Sequence, residues 1–179
     1  MSISDRSKPD NSSPDQSGLE SALASIAKVL AHPGERISMG EHAALRRMNP
    51  LQPGPAAAIV CRLLLECDIA LADNDDAQLL RWCVIVHTLA LARGAHNKAM
   101  PIGKALWEMG YSEQRVNQLL VSDADGLAQI VPRLARRLRA GKVAAMDFAP
   151  LMYLLLASSE EGQNRARLAI ARSCARYQP

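Results

Sequence analysis

The chain is 179 residues long, 49% of its residues are hydrophobic but only 3% are aromatic, and its formal net charge is +3. This length suffices for one sizeable domain or for two small bundles. No apolar run approaches the ~18 residues that cross a bilayer. No apolar stretch follows a basic start, as it would in an export signal. These features argue against a membrane protein and predict a cytoplasmic one.

The apolar residues are mostly Ala and Leu, which favour helices and are not enriched in strands. Residues 1–18 are rich in Ser, Asp, Asn and Pro and are therefore predicted to be a disordered tail. Beyond them, apolar positions three and four residues apart predict a helix between each pair of turn signals. The predicted helices cover residues 19–31, 41–48, 55–72, 77–93, 101–109, 112–121, 123–141, 148–157 and 158–177.

Several details of these helices are predicted from local residue types. The helix over 55–72 is apolar nearly all round and is expected at the centre of the core. Pro132 is expected to kink or restart its helix. Caps are predicted within the acidic turn 73–76, at Ser112 and at Asp147, and Asp123 is predicted to start a helix. Ser158 with Glu161 resembles a capping box. Trp82, Trp107, Phe148 and Tyr153 lie in apolar helical patterns and are predicted to be core residues.

No strand pattern and no tandem repeat is visible. The prediction is therefore an all-α protein of two small packed helical bundles, residues 19–94 and 101–179, which form one elongated subunit. Residues 94–100 are the expected boundary between them.

Residues that would support catalysis or metal binding are not arranged for it. The four cysteines form no CxxC pair and are predicted to be reduced core thiols, and the four histidines show no HxxxH or HExxH spacing. The acids at 73–76 fit helix capping and lack the pattern of a calcium loop. No Gly-rich phosphate loop is present. We therefore predict no metal, no cofactor and no enzymatic activity.

The most informative stretch is residues 131–142, which carries five cations and no acid in a chain that is nearly neutral overall. Wound as a helix, Leu134 and Leu138 stack four residues apart, while Arg133, Arg136 and Arg137 meet on another face. Such a face suits a polyanion such as a phosphate backbone. Two alternatives stay open, a helix face that is merely solvated and, less favoured because the apolar face lacks Trp and Phe, a membrane-surface helix.

Three further groups of cations accompany this stretch, and each has an ordinary structural explanation as well. Arg46 and Arg47 could pair with Glu41 or pack on the core, Lys98 could solubilise a loop, and the arginines of the last helix could meet a neighbouring subunit. The scarcity of aromatic residues argues against base stacking, so contact with the backbone is the expected mode of any nucleic-acid binding. The three groups are Arg46 with Arg47, then Arg93, Lys98 and Lys104, and finally Arg165, Arg167, Arg172 and Arg176.

Several motifs then resemble those of one family, in the family's order. They are G-x-x-A-x-L-R-R-x-x-P at 40–50, I-G-K-A-L at 102–106, S-E-x-R-x-x-x-L-L at 112–120, L-x-R-R-L at 134–138 and D-F-x-x-L-x-x-L-L at 147–155. This series is similar to the CasB small subunit of the type I-E CRISPR surveillance complex, Cascade, over residues 40–156.

The resemblance implies a non-catalytic, all-α subunit of an antiviral ribonucleoprotein that contains CRISPR RNA. It implies two copies of the chain in each complex, other Cascade subunits as partners, and contact with target DNA, especially the displaced single strand of the R-loop. Departures from the family pattern are Val121, Ala124 and Glu160–Glu161, where basic residues are expected. The DNA contacts are therefore expected either to be weaker or to shift onto Arg133, Arg139 and Arg165.

The sequence thus predicts a structural subunit that binds nucleic-acid backbone through basic helix faces. The alternative is a helical protein-interaction subunit without direct nucleic-acid contact. A helix-turn-helix regulator is disfavoured because Pro132 would interrupt its second helix and no Asn or Gln there is placed to read a base. The predicted nucleic-acid-binding residues are Arg46, Arg47, Arg93, Lys98, Arg115, Arg133, Arg136, Arg137 and Arg139.

Overall fold

The structure, a computed structural model, describes residues 16–71, 75–141 and 143–177. Within these ranges the chain forms nine helices and no strand, which confirms the predicted all-α fold. The helices are α1 (Gln16–Ala31), α2 (Met39–Arg47), α3 (Ala56–Glu66), α4 (Asp76–Leu91), α5 (Ile102–Glu108), α6 (Glu113–Val121), α7 (Ala124–Ala140), α8 (Ala149–Leu156) and α9 (Glu160–Ala175).

Side-chain caps begin several of these helices. Ser38 and Glu41 form a capping box at α2, in which the Glu41 N–H donates to Ser38 Oγ at 3.2 Å and the Ser38 N–H donates to Glu41 Oε2 at 2.9 Å. Asp75 caps α4 and Asp123 caps α7, each through Oδ1 to a backbone N–H at 2.8 Å. Asp123 thus begins its helix as predicted, whereas the predicted cap at Ser112 is wrong, because its side chain makes no capping hydrogen bond to α6. Of the predicted acidic turn, residues 73 and 74 lie outside the described residues.

The predicted end of the third helix is wrong, because α3 ends at Glu66 rather than near residue 72. Asp68 adopts a left-handed conformation with φ of 57°. The Ile69 N–H then donates to Leu64 O and the Asp68 N–H donates to Leu65 O, at 2.9 and 3.1 Å. This pair of hydrogen bonds is a Schellman motif, which terminates a helix and usually uses glycine. An aspartate in that position gives no clear signal in the sequence.

Two other helix starts also differ from the prediction. Helix α1 begins at Gln16, three residues early, and residues 1–15 of the predicted tail lie outside the described residues. Helix α9 is capped by Ser159, whose Oγ accepts from the Gly162 N–H at 3.1 Å. The predicted capping box of Ser158 and Glu161 is therefore wrong, and Glu161 pairs instead with Arg165 at 3.0 Å.

Helix α4, not the third helix, lies at the centre of the core. Its residues from Trp82 to Leu91 are all buried, and it packs against α1, α2 and α3 as well as against α7 and α8. Helix α3 leaves Leu65 71% exposed. All nine helices of the described chain contribute to one cluster of buried residues. The division into two bundles stays a prediction.

The aromatic residues and cysteines follow their predictions in part. Trp82 and Phe148 are buried and Tyr153 is half-buried, but Trp107 is 50% exposed, so its assignment to the core was wrong. Its position on the short α5 leaves one side of the indole uncovered.

All four cysteines are unpaired, Cys83 and Cys174 being buried. Burial raises the pKa of the Cys83 thiol to about 11, so it stays protonated at neutral pH.

Candidate nucleic-acid interface

Helix α7 carries the densest group of predicted site residues. Its apolar side is buried through Leu127, Val131, Leu134 and Leu138, which fixes the opposite side toward solvent. Pro132 lies inside one continuous helix and is itself buried, so the helix does not restart there. On the solvent side are four exposed arginines, Arg133, Arg136, Arg137 and Arg139. Lys142 lies outside the described residues.

Arg137 is held in place by the end of α5. That helix ends in a Schellman motif, in which the Tyr111 N–H donates to Leu106 O at 2.9 Å and Gly110 has a φ of 66°. The Met109 carbonyl is left free, and it accepts from Arg137 Nε at 3.1 Å and from Arg137 Nη2 at 2.9 Å. A cation at a helix C-terminus also interacts favourably with the helix dipole. Arg137 thus joins α7 to α5 and keeps a fixed orientation.

Three arginines converge on Tyr111, which follows α5. The guanidinium carbons of Arg115 and Arg137 lie 5.9 and 5.7 Å from the centre of the Tyr111 ring, within the range of cation–π attraction. Together with Arg133, they line a cleft of about 410 Å³. We call it the Tyr111 cleft, and its lining consists of Tyr111, Arg115, Gln118, Ile130, Arg133 and Arg137. Burial raises the pKa of the Tyr111 hydroxyl, while the three guanidinium groups oppose that rise.

Arginines also affect two buried histidines of α2 and α4 electrostatically. Burial lowers the pKa of His42, and the nearby charges of Arg46 and Arg93 lower it further. Burial also lowers the pKa of His87, and the charge of Arg136 acts in the same direction.

The His87 ring also ties two helices together directly. His87 Nδ1 donates to Leu45 O at 2.8 Å, which joins α4 to the residue before Arg46. Arg47, on α2, is exposed, and its Nε donates to Ala43 O at 3.2 Å.

Most of the predicted site residues have no carboxylate to neutralise them. All nine are exposed, and within the described ranges only Lys98 forms an ion pair, with Glu20. Other cations of the chain are paired instead. Arg62 contacts Glu41 at 2.8 Å, and Lys104 contacts Glu108 at 3.8 Å. The anticipated pairing of Arg46 or Arg47 with Glu41 does not occur, because Arg62 holds that carboxylate.

Lys98 belongs to a separate polar cluster between α1 and the loops before α5 and α8. Its partner Glu20 also accepts from the Tyr153 hydroxyl at 2.9 Å. The hydrogen bond from Lys98 lowers the pKa of Glu20. Nearby, His96 Nδ1 accepts from the Phe148 N–H at 3.2 Å and lies 3.8 Å from Asp147. Burial raises the pKa of Asp147 and lowers that of His96.

Other kinds of site receive little support from the geometry. In the part of the chain that the structure describes, no three His, Cys, Asp or Glu side chains lie together as metal ligands would. No helix among those residues is long and apolar enough to cross a bilayer.

Sequence reasoning did not single out Tyr111, Gln118 and Ile130, which complete the Tyr111 cleft. The spacing of Tyr111 and Arg115, four residues apart, was a usable signal for one side of it. Arg133 and Arg137 come from a later segment, so the convergence of three arginines needs the tertiary fold.

The comparisons with known proteins agree with the resemblance drawn from the motifs. The sequence model of the family described as CRISPR-associated protein Cse2 (CRISPR_cse2) matches residues 41–173, about three quarters of the chain. This is the family of the CasB small subunit, so the resemblance is confirmed. No curated protein and no solved structure matches the chain.

Proposed function

Since the chain belongs to the CRISPR-associated Cse2 family and is therefore a subunit of the CRISPR Cascade complex, we propose that it is a non-catalytic subunit that binds DNA by its phosphates. The surface concerned is formed by the exposed arginines of α2, α6 and α7 together with Arg93, which follows α4. We call it the arginine surface, and its members are Arg46, Arg47, Arg93, Arg115, Arg133, Arg136, Arg137 and Arg139.

One observation carries the proposal, namely that these eight arginines have no carboxylate partner among the described residues. Exposed charges that serve only solubility are commonly interspersed with the opposite sign, as Arg62, Lys104 and Arg165 are here. A concentration of unneutralised positive charge attracts a polyanion. Lys98 is left out of the arginine surface because Glu20 neutralises it.

The energetics of strand exchange make such a surface sufficient. In an RNA-guided complex the guide supplies sequence specificity, and the exchange of DNA pairing for RNA–DNA pairing is nearly balanced. Modest contacts to a displaced single strand can therefore tip the equilibrium. Each neutralised phosphate of a single strand contributes about 0.7 to the slope of log affinity against log salt. Several arginines acting together would thus give binding that falls steeply as salt rises.

The other Cascade subunits with their CRISPR RNA, and a second copy of this chain, are the partners that this proposal includes. A rival function, protein contact without DNA, is favoured by three exposed apolar side chains on α5, α6 and α9. Trp107 is 50% exposed, Val121 79% and Leu168 54%. A partner that covered these side chains would remove their apolar surface from water, and in the proposed subunit they would serve assembly while the arginine surface binds DNA.

A gel shift of the isolated chain with unrelated single- and double-stranded DNA at two salt concentrations tests the proposal. We expect sequence-independent binding that weakens sharply at the higher salt. The matched control is Lys98→Gln, which removes one charge that is already paired and should leave the affinity almost unchanged. An absence of binding at low salt would reject the proposal and favour the rival.

A further inference from the structure

A wide groove lies between the start of α1 and the connection from α3 to α4. It encloses about 870 Å³, and none of its lining residues belongs to the arginine surface. We call it the acidic groove, and the lining residues that matter here are Leu19, Glu66, Asp68, Asp75, Arg81 and Trp82.

The charge of this groove is opposite in sign to that of the arginine surface. Glu66, Asp68 and Asp75 are all exposed, and Arg81 is the only cation among the described lining residues. Glu66 has a distant partner, Arg62 Nε at 3.7 Å, while Asp68 forms no ion pair within the described ranges. The excess of negative charge repels a nucleic acid and attracts a cationic partner.

The three acids are too dispersed to serve one metal ion. No three His, Cys, Asp or Glu side chains in the described parts of the chain lie together as metal ligands would. A cationic partner that neutralises all three acids therefore has to carry several charges along its length, as a chain with repeated basic groups does.

Trp82 supplies an unused hydrogen-bond donor at the same groove. The residue lines the groove and is only 1% exposed, and its Nε1 is buried without a hydrogen-bond partner in the described part of the chain. Buried N–H groups in proteins nearly always have an acceptor. Because Nε1 is not exposed to solvent, neighbouring side chains have to move aside before an acceptor can reach it.

The donor and the acids together distinguish between cationic partners. A polyamine would match the negative charges but contains no acceptor for the Trp82 N–H. An extended peptide presents one carbonyl at every residue, and its lysine or arginine side chains can reach the acids. The lining also includes apolar groups such as Leu19, against which the stems of basic side chains can pack.

We propose that the acidic groove binds an extended basic peptide segment of a partner protein. The basic side chains pair with Glu66, Asp68 and Asp75, and one peptide carbonyl accepts a hydrogen bond from Trp82 Nε1. This inference goes beyond the proposed function and does not depend on DNA binding, since the two surfaces share no residue.

The test is an NMR titration of the full-length chain with an eight-residue peptide of alternating Lys and Ala, acetylated and amidated, at constant ionic strength. The chain has two tryptophans, so the Trp107→Phe variant assigns the two indole N–H signals. We expect the Trp82 signal to move downfield and to saturate, as a new hydrogen bond requires, while the Trp107 signal stays in place. A peptide of alternating Glu and Ala should leave both signals unchanged.

A double variant with a charge-matched control links the signal to the groove. Glu66→Gln/Asp68→Asn should raise the dissociation constant of the Lys peptide by about threefold or more, as expected for two lost exposed ion pairs. Asparagine tolerates the left-handed conformation of Asp68, whose φ is 57°, so the turn is retained. The control Glu35→Gln/Glu113→Gln removes two exposed acids outside the groove and should titrate like the wild type. Asp75 is left intact because it caps α4.

Three results would overturn the inference. The first is a Trp82 signal that does not move with the Lys peptide, and the second is a Glu66→Gln/Asp68→Asn variant that titrates like the control. The third is a titration with spermine, a polyamine, that moves the Trp82 signal as far downfield as the peptide does, because no carbonyl would then be needed. The outcome of the DNA gel shift bears on none of these results.

Discussion

The dual role of Arg137 leads to a prediction that separates it from its neighbour Arg136. Replacing Arg137 by Lys keeps the charge but loses the two donors that share the Met109 carbonyl, at 3.1 and 2.9 Å. Each such hydrogen bond contributes about 1 kcal/mol net. Because Arg137 is partly exposed, we expect a total loss of about 1–2 kcal/mol in unfolding free energy.

For a chain of this size, that loss corresponds to a decrease in Tm of about 2–8 °C. The matched control is Arg136→Lys, one residue away on the same helix, where no hydrogen bond to α5 is lost and the Tm should hold. Thermal unfolding followed by circular dichroism measures both variants. If Arg137→Lys unfolds at the same temperature as Arg136→Lys, Arg137 does not anchor α7 to the end of α5 and the reasoning fails.

Two further predictions concern the packing and its dependence on pH. A Cβ at Gly103 would lie 2.1 Å from a backbone oxygen of α9, so Gly103→Ala should lower the unfolding free energy, measured by urea denaturation, by about 3 kcal/mol or more. The control Gly18→Ala has open space around its new Cβ and should not destabilise the protein. Equal urea midpoints for the two variants would contradict the close approach of α5 and α9. Burial lowers the pKa of His42, His87 and His96, so the unfolded chain binds more protons below about pH 6.5. Stability should therefore fall as pH drops through that region, by at most about 1.4 kcal/mol per pH unit for each histidine, and a urea midpoint that stays constant from about pH 8 to 5.5 would refute it.

The separate roles of Arg136 and Arg137 also affect how DNA binding should be tested. Neutralising both together would remove an anchor of α7 along with two charges, so weaker binding would have two explanations. Arg133 and Arg136 are exposed on the same helix and have no such hydrogen bonds to α5. Variants at these positions report on charge with less effect on the fold.

The helical order could be predicted from sequence because the Ala- and Leu-rich periodicity is local. The cationic side of α7 was predictable for the same reason, since Leu134 and Leu138 determine which side is buried. The end of α3 could not be predicted, because Asp68 adopts a left-handed conformation that glycine usually occupies. The pairing of Lys98 with Glu20 was also missed, as it joins residues 78 positions apart. Whether a given cation is neutralised depends on such tertiary contacts.

The central claim is that arginines from different helices act on one DNA strand. Its most direct test is the salt dependence of single-strand binding by the wild type, by Arg46→Gln on α2, by Arg136→Gln on α7, and by the double variant. Each substitution should lower the slope of log affinity against log salt by about 0.7, and the double variant should lower it by about 1.4. A slope that stays at the wild-type value in the double variant would contradict the claim.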